Sequence, residues 1–467
     1  MQTKGLVVAG LAGGSGKSVV SVGLTAALTR RGSNVVPFKK GPDYIDAGWL
    51  KIAAGKRCYN LDPYLMSQES IKRSFVEHSK NGDFVIVEGN RGLFDGVNVE
   101  GGYSTAELAL MLDLPVLLVV NCIKTTRTIA AMVLGCQKFD ERLDIRGVVL
   151  NHVATERQRR LVTDSVEKYT AIPVLGSIPR LKYDIFPMRH LGMVPHQEYS
   201  DSRGALDQLA DLVTTNVDIE SVESIMGKVV HPAMIDLKTQ EEGGGEKIKI
   251  GVLQDAAFQF YYSENLEALE KAGGELEYIN ALEDCCLPAL DGLYIGGGFP
   301  ETSARELADN ENFRWSVKDA ADLGLPIYAE CGGLIYLGEA IELDGEEFPL
   351  SGVFPVRFSM SQKPQAHGYT ICKVEKDNPY YQVSSELKGH EFRYSRITDW
   401  RGETKDLVLK MVRGQGFIDG RDGLTYNNVF ALYTHVHADG TPQWATSFVN
   451  RCRQAKKDLL KRFPAID

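Results

Sequence analysis

The sequence predicts an α/β protein with two doubly wound domains, because short β-branched apolar runs alternate with amphipathic stretches along the chain. Strands that are apolar on both faces and separated by helices are typical of parallel sheets with helices on either side. The alternation stops at a polar, glycine-rich segment and then starts again. A chain of 467 residues has room for two or three domains at roughly 100–200 residues each.

The first predicted domain covers residues 1–230 and the second covers 247–467. Between them, the segment 231–246 is polar and glycine-rich and has no apolar periodicity, which predicts a linker. Strands of the first domain are predicted at 5–10, 35–38, 84–88, 116–121, 147–150 and 174–178. In the second domain, strands are predicted at 248–253, 292–295 and 326–329, and helices at 265–272 and 444–460.

The composition is that of an ordinary globular chain, with 43% hydrophobic and 24% charged residues, which excludes a disordered or collagen-like protein. The net charge is −10 and no Lys/Arg-rich block occurs, so we expect neither a nucleic-acid partner nor a membrane partner. No apolar stretch reaches the roughly 18–20 residues that span a bilayer, and residues 1–8 lack the order of a secretory signal. We therefore expect a cytoplasmic protein.

A glycine-rich loop at 10–18 (GLAGGSGKS) lies between a predicted strand and an amphipathic helix at 19–30. The backbone N–H groups of such a loop bind phosphates, the lysine reaches the outer phosphates and the serine hydroxyl can bind Mg²⁺. The first glycine is one residue further from the lysine than in the common G-x-x-x-x-G-K-[ST] pattern, and Leu11 stands in its place. The predicted ATP-binding residues of the loop are Gly13, Gly14, Gly16, Lys17 and Ser18.

Carboxylates follow two further strands of the first predicted sheet. Asp43 and Asp46 come after the second strand, and Glu88 ends the third. The carboxyl edge of a parallel sheet, beside a phosphate loop, is where cations and anionic substrates are held. Ser18, Asp43 and Glu88 are therefore predicted to bind Mg²⁺. The structural alternative makes Asp43 a turn residue and Asp46 the cap of a helix at 46–54.

The eight cysteines are scattered and form no CxxC pair, which argues against a zinc site or a disulfide framework. Most of them are predicted to be buried, unreactive thiols. One cysteine has a sequence context that indicates chemistry.

Cys331 follows a predicted strand and precedes an apolar helix, so its thiol is predicted to stand on a sharp turn where the helix N-terminus favours the thiolate. The backbone N–H groups of Gly298 and Gly332 are predicted to form an oxyanion hole. His435 lies in the segment Tyr-Thr-His-Val-His and is the predicted base. The alternatives are an inert core thiol and a surface histidine.

Taken together, the motifs resemble those of the cobyrinic acid a,c-diamide synthase family over essentially the whole chain. The first half resembles a dethiobiotin-synthetase-like P-loop ATPase, and the second half resembles a class I glutamine amidotransferase domain. The motifs that carry the resemblance are GSGKS (14–18), KKGPDYID (39–46), NLDPYLM (60–66), VEGNRGLFDG (87–96), STAELA (104–109), VVLNHV (148–153), RHLGMVP (189–195), DAAFQFYYSENL (255–266), GGGFPE (296–301), AECGGLIYL (329–337), GHEFRYS (389–395) and YTHVH (433–437).

This resemblance implies a carbon–nitrogen ligase that uses ATP and glutamine to amidate the a and c acetate carboxylates of a corrin-type tetrapyrrole. The expected small-molecule partners are the tetrapyrrole, ATP and L-glutamine, and Mg²⁺ is the expected cofactor. A homodimer is compatible with this interpretation.

The resemblance also assigns roles to individual residues. It implies that Cys331 attacks the glutamine carboxamide, with His435 as base, and that Asn151 contacts adenine. The acid that class I enzymes carry two residues after the base is replaced by His437, so a Cys–His dyad is expected. Four positions match those associated with the substrate and its activated carboxylate: Asp43, Tyr44, Asp46 and Asp95.

The sequence leaves several alternatives open. The same reaction on sirohaem or nickel sirohydrochlorin is one, because Asn121, Gln254, Arg393 and Ala438 depart from the commonest cobyrinate pattern. A partition-type ATPase switch with an inert second domain is another, although the loop lacks the early lysine of that type. A cysteine hydrolase regulated by the P-loop domain is the third.

Overall fold

The computed structural model of the chain describes residues 2–181, 188–189, 192–199, 201–230 and 247–462. Contacts divide the chain into two compact units, Met1–Ile235 (unit 1) and Asp236–Asp467 (unit 2). The predicted linker at 231–246 and part of the motif at 189–195, including His190, lie outside the described residues.

Unit 1 is an α/β domain in which strands and helices alternate. Its strands are β1 (Lys4–Gly10), β2 (Val35–Lys40), β3 (Tyr59–Leu61), β4 (Phe84–Glu88), β5 (Val116–Asn121), β6 (Ile145–Val153), β7 (Val174–Pro179), β8 (Met188–Arg189), β9 (Gly192–Met193) and β10 (Gly227–Lys228). Its helices are α1 (Lys17–Arg30), α2 (Ile45–Ala54), α3 (Gln68–Ser79), α4 (Thr105–Leu112), α5 (Thr128–Phe139), α6 (Glu156–Thr170), α7 (Ser202–Asn216) and α8 (Ile219–Ile225), with a 3₁₀ turn at His196–Glu198.

A parallel sheet forms the centre of unit 1. Its strands lie in the order β3-β2-β4-β1-β5-β6-β7, and β10 joins β1 in the antiparallel sense. Residues 6–9 of β1 are fully buried, and since neighbouring residues of a strand point to opposite faces, both faces of the sheet are covered. This order places β1, which leads into the phosphate loop, between β4 and β5.

Helix α1 packs one apolar stripe onto the sheet. Val20, Leu24 and Leu28 recur at helical spacing and belong to the same core as Leu6 and Val8 of β1. Each such side chain contributes roughly 1.5–3 kcal/mol when it is fully removed from water. The apolar stripe therefore fixes the helix that follows the phosphate loop.

Unit 2 is also an α/β domain, with more strands than unit 1. Its strands are β11 (Ile248–Leu253), β12 (Phe258–Phe260), β13 (Gly274–Ile279), β14 (Gly292–Ile295), β15 (Gly297–Gly298), β16 (Ile327–Glu330), β17 (Ala340–Leu343), β18 (Glu346–Pro349), β19 (Val356–Met360), β20 (Ala366–Val374), β21 (Glu386–Arg393), β22 (Ser395–Trp400), β23 (Leu409–Arg413), β24 (Arg421–Asp422), β25 (Leu424–Tyr426), β26 (Val429–Leu432) and β27 (His435–Val436). Its helices are α9 (Ser263–Lys271), α10 (Ala304–Asp309), α11 (Glu311–Asp322), α12 (Gly332–Tyr336) and α13 (Gln443–Arg462), with 3₁₀ turns at Pro300–Ser303 and Thr404–Asp406.

The central sheet of unit 2 has the order β13-β11-β14-β16-β26-β25, and all of its pairs are parallel except β25–β26. Two separate cores cover its faces. Leu293 and Ile295 of β14 belong to one core, whereas Tyr294 between them belongs to the other. The parallel sheets predicted for the two halves of the chain are thus confirmed, with element bounds that shift by a few residues.

The segment between α12 and β26 differs from the sequence prediction because it adds sheets for which no strand was predicted. One sheet has the order β18-β17-β19-β22. The other has the order β24-β23-β20-β21-β27, and all of its strand pairs are antiparallel. Their strands are half-exposed and polar on one side, so no continuous apolar run marks them. The second sheet carries His435 at its edge strand β27.

Among the residues that the structure describes, no helix combines the length and the apolar character needed to cross a membrane.

Candidate active sites

The phosphate loop connects β1 to α1 and turns on glycines. Gly14 and Gly16 have φ values of +73° and +94°, which favour a residue without a Cβ. A Cβ at Gly16 would also overlap the amide of Asn151. Within the loop, Ser15 Oγ accepts from the Ala12 amide at 3.2 Å and donates to the Ala12 carbonyl at 2.9 Å. These contacts hold the loop in one conformation.

Asn151, at the end of β6, lies against this loop. Its Nδ2 donates to the Ser15 carbonyl at 3.0 Å and its Oδ1 accepts from the His152 amide at 2.9 Å. The side chain is 3% exposed. In the structure Asn151 therefore supports the loop, and its predicted contact with adenine stays a prediction.

Lys17 is buried at the first position of α1. Its Nζ donates to the carbonyls of Arg91 at 2.7 Å and Ala12 at 3.4 Å. Burial lowers the pKa of Lys17, and the nearby Lys39 ammonium lowers it further, against the opposing charge of Glu88. The ammonium thus has carbonyl acceptors that phosphate oxygens can replace.

Glu88 is the centre of a buried cluster beside the loop. Its Oε1 accepts from Ser18 Oγ at 2.7 Å and from Lys39 Nζ at 2.9 Å, and its Oε2 accepts from Ser21 Oγ at 2.5 Å. Burial raises the pKa of the Glu88 carboxyl to about 7, although the Lys39 ammonium opposes the rise. The structure thus brings Ser18 and Glu88, two of the predicted metal ligands, together.

Lys39 is a member of this cluster that the residue pattern did not predict. It is 1% exposed, and its Nζ lies 2.5 Å from Asp46 Oδ2 as well as 2.9 Å from Glu88 Oε1. In the parallel pair β2–β4, Lys39 is the register partner of Glu88. Each residue lies near the end of its strand, which the sequence shows. This places them together only once β2 and β4 are known to be neighbours.

Asp43 and Tyr44 precede α2, and Asp46 lies in its first turn. Asp43 Oδ1 accepts from the Asp46 amide at 2.9 Å, so the structural role considered for this segment is present, with Asp43 as the acceptor. Burial raises the pKa of Asp43 to about 6, and repulsion from Asp46 adds to the rise. The predicted substrate contacts of these residues stay predictions.

Asp95 lies on the exposed loop after β4. Its Oδ2 accepts from the Gly92 amide at 2.8 Å, and its charge acts on the Lys17 ammonium. The structure therefore places Asp95 on the same side of the sheet edge as the phosphate loop.

The oxygen donors of this cluster suit Mg²⁺ in part. Ser18 and Glu88 offer hard oxygen atoms in contact with one another, and Mg²⁺ in nucleotide sites takes one or two protein oxygens beside phosphates and waters. Asp43, the third predicted ligand, uses Oδ1 to accept from the Asp46 amide at the start of α2. Over the described ranges, no group of three or more His, Cys, Asp or Glu side chains could hold a metal ion, so Mg²⁺ would depend on the nucleotide phosphates for its remaining ligands.

In unit 2, Cys331 stands on the turn between β16 and α12. Its φ and ψ are 48° and −98°, a positive-φ conformation that costs a non-glycine residue of order 1–3 kcal/mol. The turn is held by the Cys331 amide, which donates to the Leu432 carbonyl at 2.8 Å. The predicted sharp turn thus exists, but Cys331 is buried rather than exposed.

The glycines after β14 lie beside this turn. A Cβ at Gly332 would lie 2.9 Å from the Gly298 amide nitrogen, and a Cβ at Gly297 would overlap the His435 ring. The Gly333 amide donates to the Gly296 carbonyl at 3.1 Å. The structure therefore brings together the two predicted oxyanion-hole glycines, the thiol turn and the imidazole.

His435 is 3% exposed and lies in β27. Burial acts to lower its pKa, but hydrogen bonds to Cys331 and Glu330 outweigh burial and raise it to about 10. The ring stacks on His390, with centroids 4.9 Å apart. The Cys331 and His435 side chains thus interact, and their roles as nucleophile and base stay predictions.

Glu330, the residue before the nucleophile, lies beside His435. Like Lys39 in unit 1, it was not predicted from the residue pattern. Its Oε2 lies 3.5 Å from His435 Nδ1. His437, which replaces the acid of class I enzymes, points to a different carboxylate, with its Nε2 3.8 Å from Glu264 Oε2. Burial lowers the pKa of His437 to about 4. The imidazole of His435 therefore has a carboxylate beside it that comes from β16.

Comparison with protein families gives a match in each half of the chain. Residues 6–190 match the CobQ/CobB/MinD/ParA nucleotide binding domain, and residues 249–443 match the CobB/CobQ-like glutamine amidotransferase domain. These two domains contain the phosphate loop and the Cys331 turn, respectively.

Similar curated proteins align over nearly the whole chain. Cobyrinate a,c-diamide synthase from Magnetococcus marinus is 40% identical and covers 92% of this chain and 93% of its own length. The protein of the same name from Archaeoglobus fulgidus is 38% identical and covers 97% and 98%. Among solved structures, PurLQS from Thermotoga maritima is 18% identical with a TM-score of 0.34 and covers 46% of this chain and 99% of its own.

Proposed function

Because the chain belongs to the family of the cobyrinate a,c-diamide synthases, we propose that it amidates the a and c acetate carboxylates of cobyrinate, using ATP and glutamine. It is a glutamine-dependent carbon–nitrogen ligase with a nucleotide-binding domain. The observation that carries the proposal is that one chain holds a phosphate loop with Lys17 and a thiol turn with Cys331 in contact with His435.

In the glutaminase reaction, His435 takes the proton of the Cys331 thiol, and the sulfur attacks the glutamine carboxamide carbon. The amide N–H groups of Gly298 and Gly332 donate to the oxyanion that forms. Ammonia leaves, and water then hydrolyses the thioester to glutamate. Contact between the Cys331 and His435 side chains supports this assignment.

In the ligase reaction, an acetate oxygen of the macrocycle attacks the γ-phosphorus of ATP, and ADP leaves. Lys17 neutralises negative charge on the transferred group, and the loop amides at Gly13, Gly14 and Gly16 hold the phosphates. Ammonia then displaces phosphate from the acyl phosphate, and the product is the amide. The residues proposed to face the macrocycle and its activated carboxylate are Asp43, Tyr44, Asp46 and Asp95.

Ser18 and Glu88 would hold a Mg²⁺ ion beside the phosphates, with Asp43 as a third proposed ligand. When bound, such an ion neutralises charge on the phosphate oxygens. The oxygen contact between Ser18 and Glu88 supports the site. The Lys39 ammonium shares Glu88 Oε1 and sets the charge balance of the cluster.

We propose cobyrinate as the substrate because the relatives described above are named for it. Sirohaem and nickel sirohydrochlorin carry the same kind of neighbouring acetates, and they serve as comparison substrates. A partition-type ATPase switch is not favoured, because such a role leaves the Cys331–His435 pair without a purpose. A cytoplasmic location, a homodimer and the absence of a nucleic-acid partner stay predictions.

The test is mass spectrometry of products from the full-length protein, supplied with ATP, Mg²⁺, glutamine and each of the three macrocycles in turn. We expect two replacements of carboxyl OH by NH₂ on cobyrinate and fewer on the others. Diamidation of sirohaem or nickel sirohydrochlorin alone would overturn the choice of macrocycle while leaving the reaction type in place.

Two alanine variants separate the two reactions. Cys331→Ala should lose glutamine use and keep amidation with added ammonium, whereas Cys372→Ala, which removes a buried thiol of unit 2, should keep both. Glutamine-dependent amidation by Cys331→Ala would overturn the assignment of the nucleophile.

A further inference from the structure

The carboxylate beside the proposed base comes from an unexpected place in the chain. Glu330 is the last residue of β16 and precedes the nucleophile directly. Its side chain is fully buried, and Oε2 lies 3.5 Å from His435 Nδ1. Tyr294 Oη donates to Oε2 at 3.4 Å and the Val436 amide donates to Oε1 at 3.1 Å. A buried carboxylate is therefore held against one nitrogen of the imidazole.

The turn at Cys331 explains how two consecutive residues reach one ring. In a regular strand the side chains of neighbouring residues point to opposite faces, but Cys331 has a φ of +48° and leaves the strand direction. Glu330 Oε2 lies 3.5 Å from His435 Nδ1, and the thiol of Cys331 also acts on the ring. With Nδ1 facing Glu330, the nitrogen left for the thiol is Nε2.

We propose that Glu330 is the positioning residue of His435. Its carboxylate holds the tautomer in which Nδ1 carries the proton, and it stabilises the imidazolium that forms when Nε2 takes the thiol proton of Cys331. This inference rests on the proposed glutaminase function. It replaces the expected Cys–His dyad by a triad whose carboxylate precedes the nucleophile in the chain.

The other charged and titratable groups around the ring do not offer the same contact. His390 stacks on His435 with centroids 4.9 Å apart, and burial, with the His435 charge adding to it, lowers the pKa of His390 well below its usual value, so it is neutral. Glu391, next to it in β21, binds the amides of Gln415 and Gly416. His437 Nε2 lies 3.8 Å from Glu264 Oε2 and not beside His435 Nδ1.

Glutamine at 330 is the informative substitution. A Gln side chain has one acceptor oxygen where Glu has two. If that oxygen accepts from the Val436 amide, the NH₂ group faces Nδ1, which must then be an acceptor without a proton. If the oxygen accepts from Nδ1, the NH₂ group faces the Val436 amide, which is also a donor. Glu330→Gln thus keeps the size of the side chain and removes the property that the proposal needs.

For Glu330→Gln we expect the glutaminase kcat to fall on the order of 10²–10⁴-fold, the range seen when the orienting carboxylate of a triad becomes an amide. The KM for glutamine should change less than about threefold, which is typical of lost positioning rather than lost binding. The rate of amidation with added ammonium should also change less than about threefold. Glu264→Gln, the matched change at the carboxylate beside His437, should keep the wild-type glutaminase kcat.

A second readout follows the thiol itself. Alkylation of Cys331 by iodoacetamide, read by peptide mass spectrometry, reports the thiolate. In the wild type and in Glu264→Gln the alkylation rates at pH 7 should agree within about twofold, because Glu330 is intact in both. In Glu330→Gln the alkylation rate at pH 7 should be at least about tenfold lower, because the imidazole no longer takes the thiol proton as readily.

A structural role for Glu330 predicts a different outcome. Glu330→Asp retains the charge but is too short to reach the Val436 amide, so a role in folding alone makes it as harmful as Glu330→Gln. The proposal expects Glu330→Asp to lie between wild type and Glu330→Gln in kcat and in alkylation rate. Equal losses in both variants, or a wild-type kcat and alkylation rate in Glu330→Gln, would overturn it. Retained glutaminase in Cys331→Ala would instead overturn the proposed function.

Discussion

Lys39 and Glu88 form a buried ion pair across neighbouring parallel strands, with Nζ 2.9 Å from Oε1. Both side chains are at most 1% exposed, and Asp46 adds a second carboxylate at 2.5 Å from the same ammonium. Removing charges from water is costly, and the cost is offset only while each charge keeps its partner. The cluster beside the phosphate loop therefore depends on Lys39 for its charge balance.

Replacing Lys39 by Met should destabilise the protein by about 3–5 kcal/mol, because it leaves a buried carboxylate unpaired while nearly conserving volume. The measurement is urea denaturation of the full-length chain at neutral pH. Lys40→Met is the matched control, since Lys40 is the next residue of the same strand and is also buried. Its cost should be at most half as large, and a cost equal to that of Lys39→Met would contradict the role of the ion pair.

The sequence predicts the parts of this site that are local. The glycine loop, the strand before it and the helix after it lie within residues 4–30, so one motif and one periodicity suffice. The same holds for Cys331, because strand, turn and helix are consecutive. The Lys39–Glu88 and Glu330–His435 pairs escape prediction because the two members of each pair are distant in the chain. Lys39 and Glu88 meet only through strand order and register.

The two added sheets of unit 2 are missed for a related reason. β20 and β21 pair over eight register positions, yet their residues alternate in burial and contain no long apolar run. Pairing energy in such strands comes from cross-strand neighbours, which a single sequence does not identify. The position of His435 at the edge of this sheet was therefore not predictable, although its identity was.

Asp95→Asn tests the charge beside the phosphate loop without disturbing the turn. An Asn oxygen can still accept from the Gly92 amide, as Asp95 Oδ2 does at 2.8 Å. If Asp95 faces the activated carboxylate, kcat for amidation should fall at least about tenfold while the Kd for ATP changes less than about twofold. Asp113→Asn, at an exposed helix end, should alter neither. An unchanged amidation rate in Asp95→Asn would contradict the assignment.

Gly297→Ala should disable the glutaminase reaction selectively. The new Cβ would overlap the His435 ring, so the imidazole must move, and small displacements of a catalytic group cost on the order of 10²-fold in rate. Amidation with added ammonium should persist. Gly135→Ala, where a Cβ meets nothing within 4 Å, should leave both reactions as they are. Full glutaminase activity in Gly297→Ala would show that the ring does not occupy this position during turnover.

The two buried histidines of the Tyr-Thr-His-Val-His segment should contribute to stability with opposite pH dependences. For His435 the folded pKa is about 10, since the hydrogen bonds to Cys331 and Glu330 outweigh the effect of burial. A raised folded pKa gives stability that is fully present below the ordinary value of about 6.5 and is lost as the pH rises toward 10. The difference in unfolding free energy between wild type and His435→Gln should therefore be largest at pH 6 and shrink by pH 10.

His437 follows the opposite rule and supplies the matched control. Burial lowers its folded pKa to about 4, so its contribution is present above about 6.5 and is lost as the pH falls toward 4. The difference between wild type and His437→Gln should thus be largest at pH 7 and shrink by pH 5. Urea denaturation of both variants from pH 5 to pH 10 measures these trends. Parallel trends in the two variants would contradict the charged state assigned to His435, because Cys331 and Glu330 reverse the sign that burial sets.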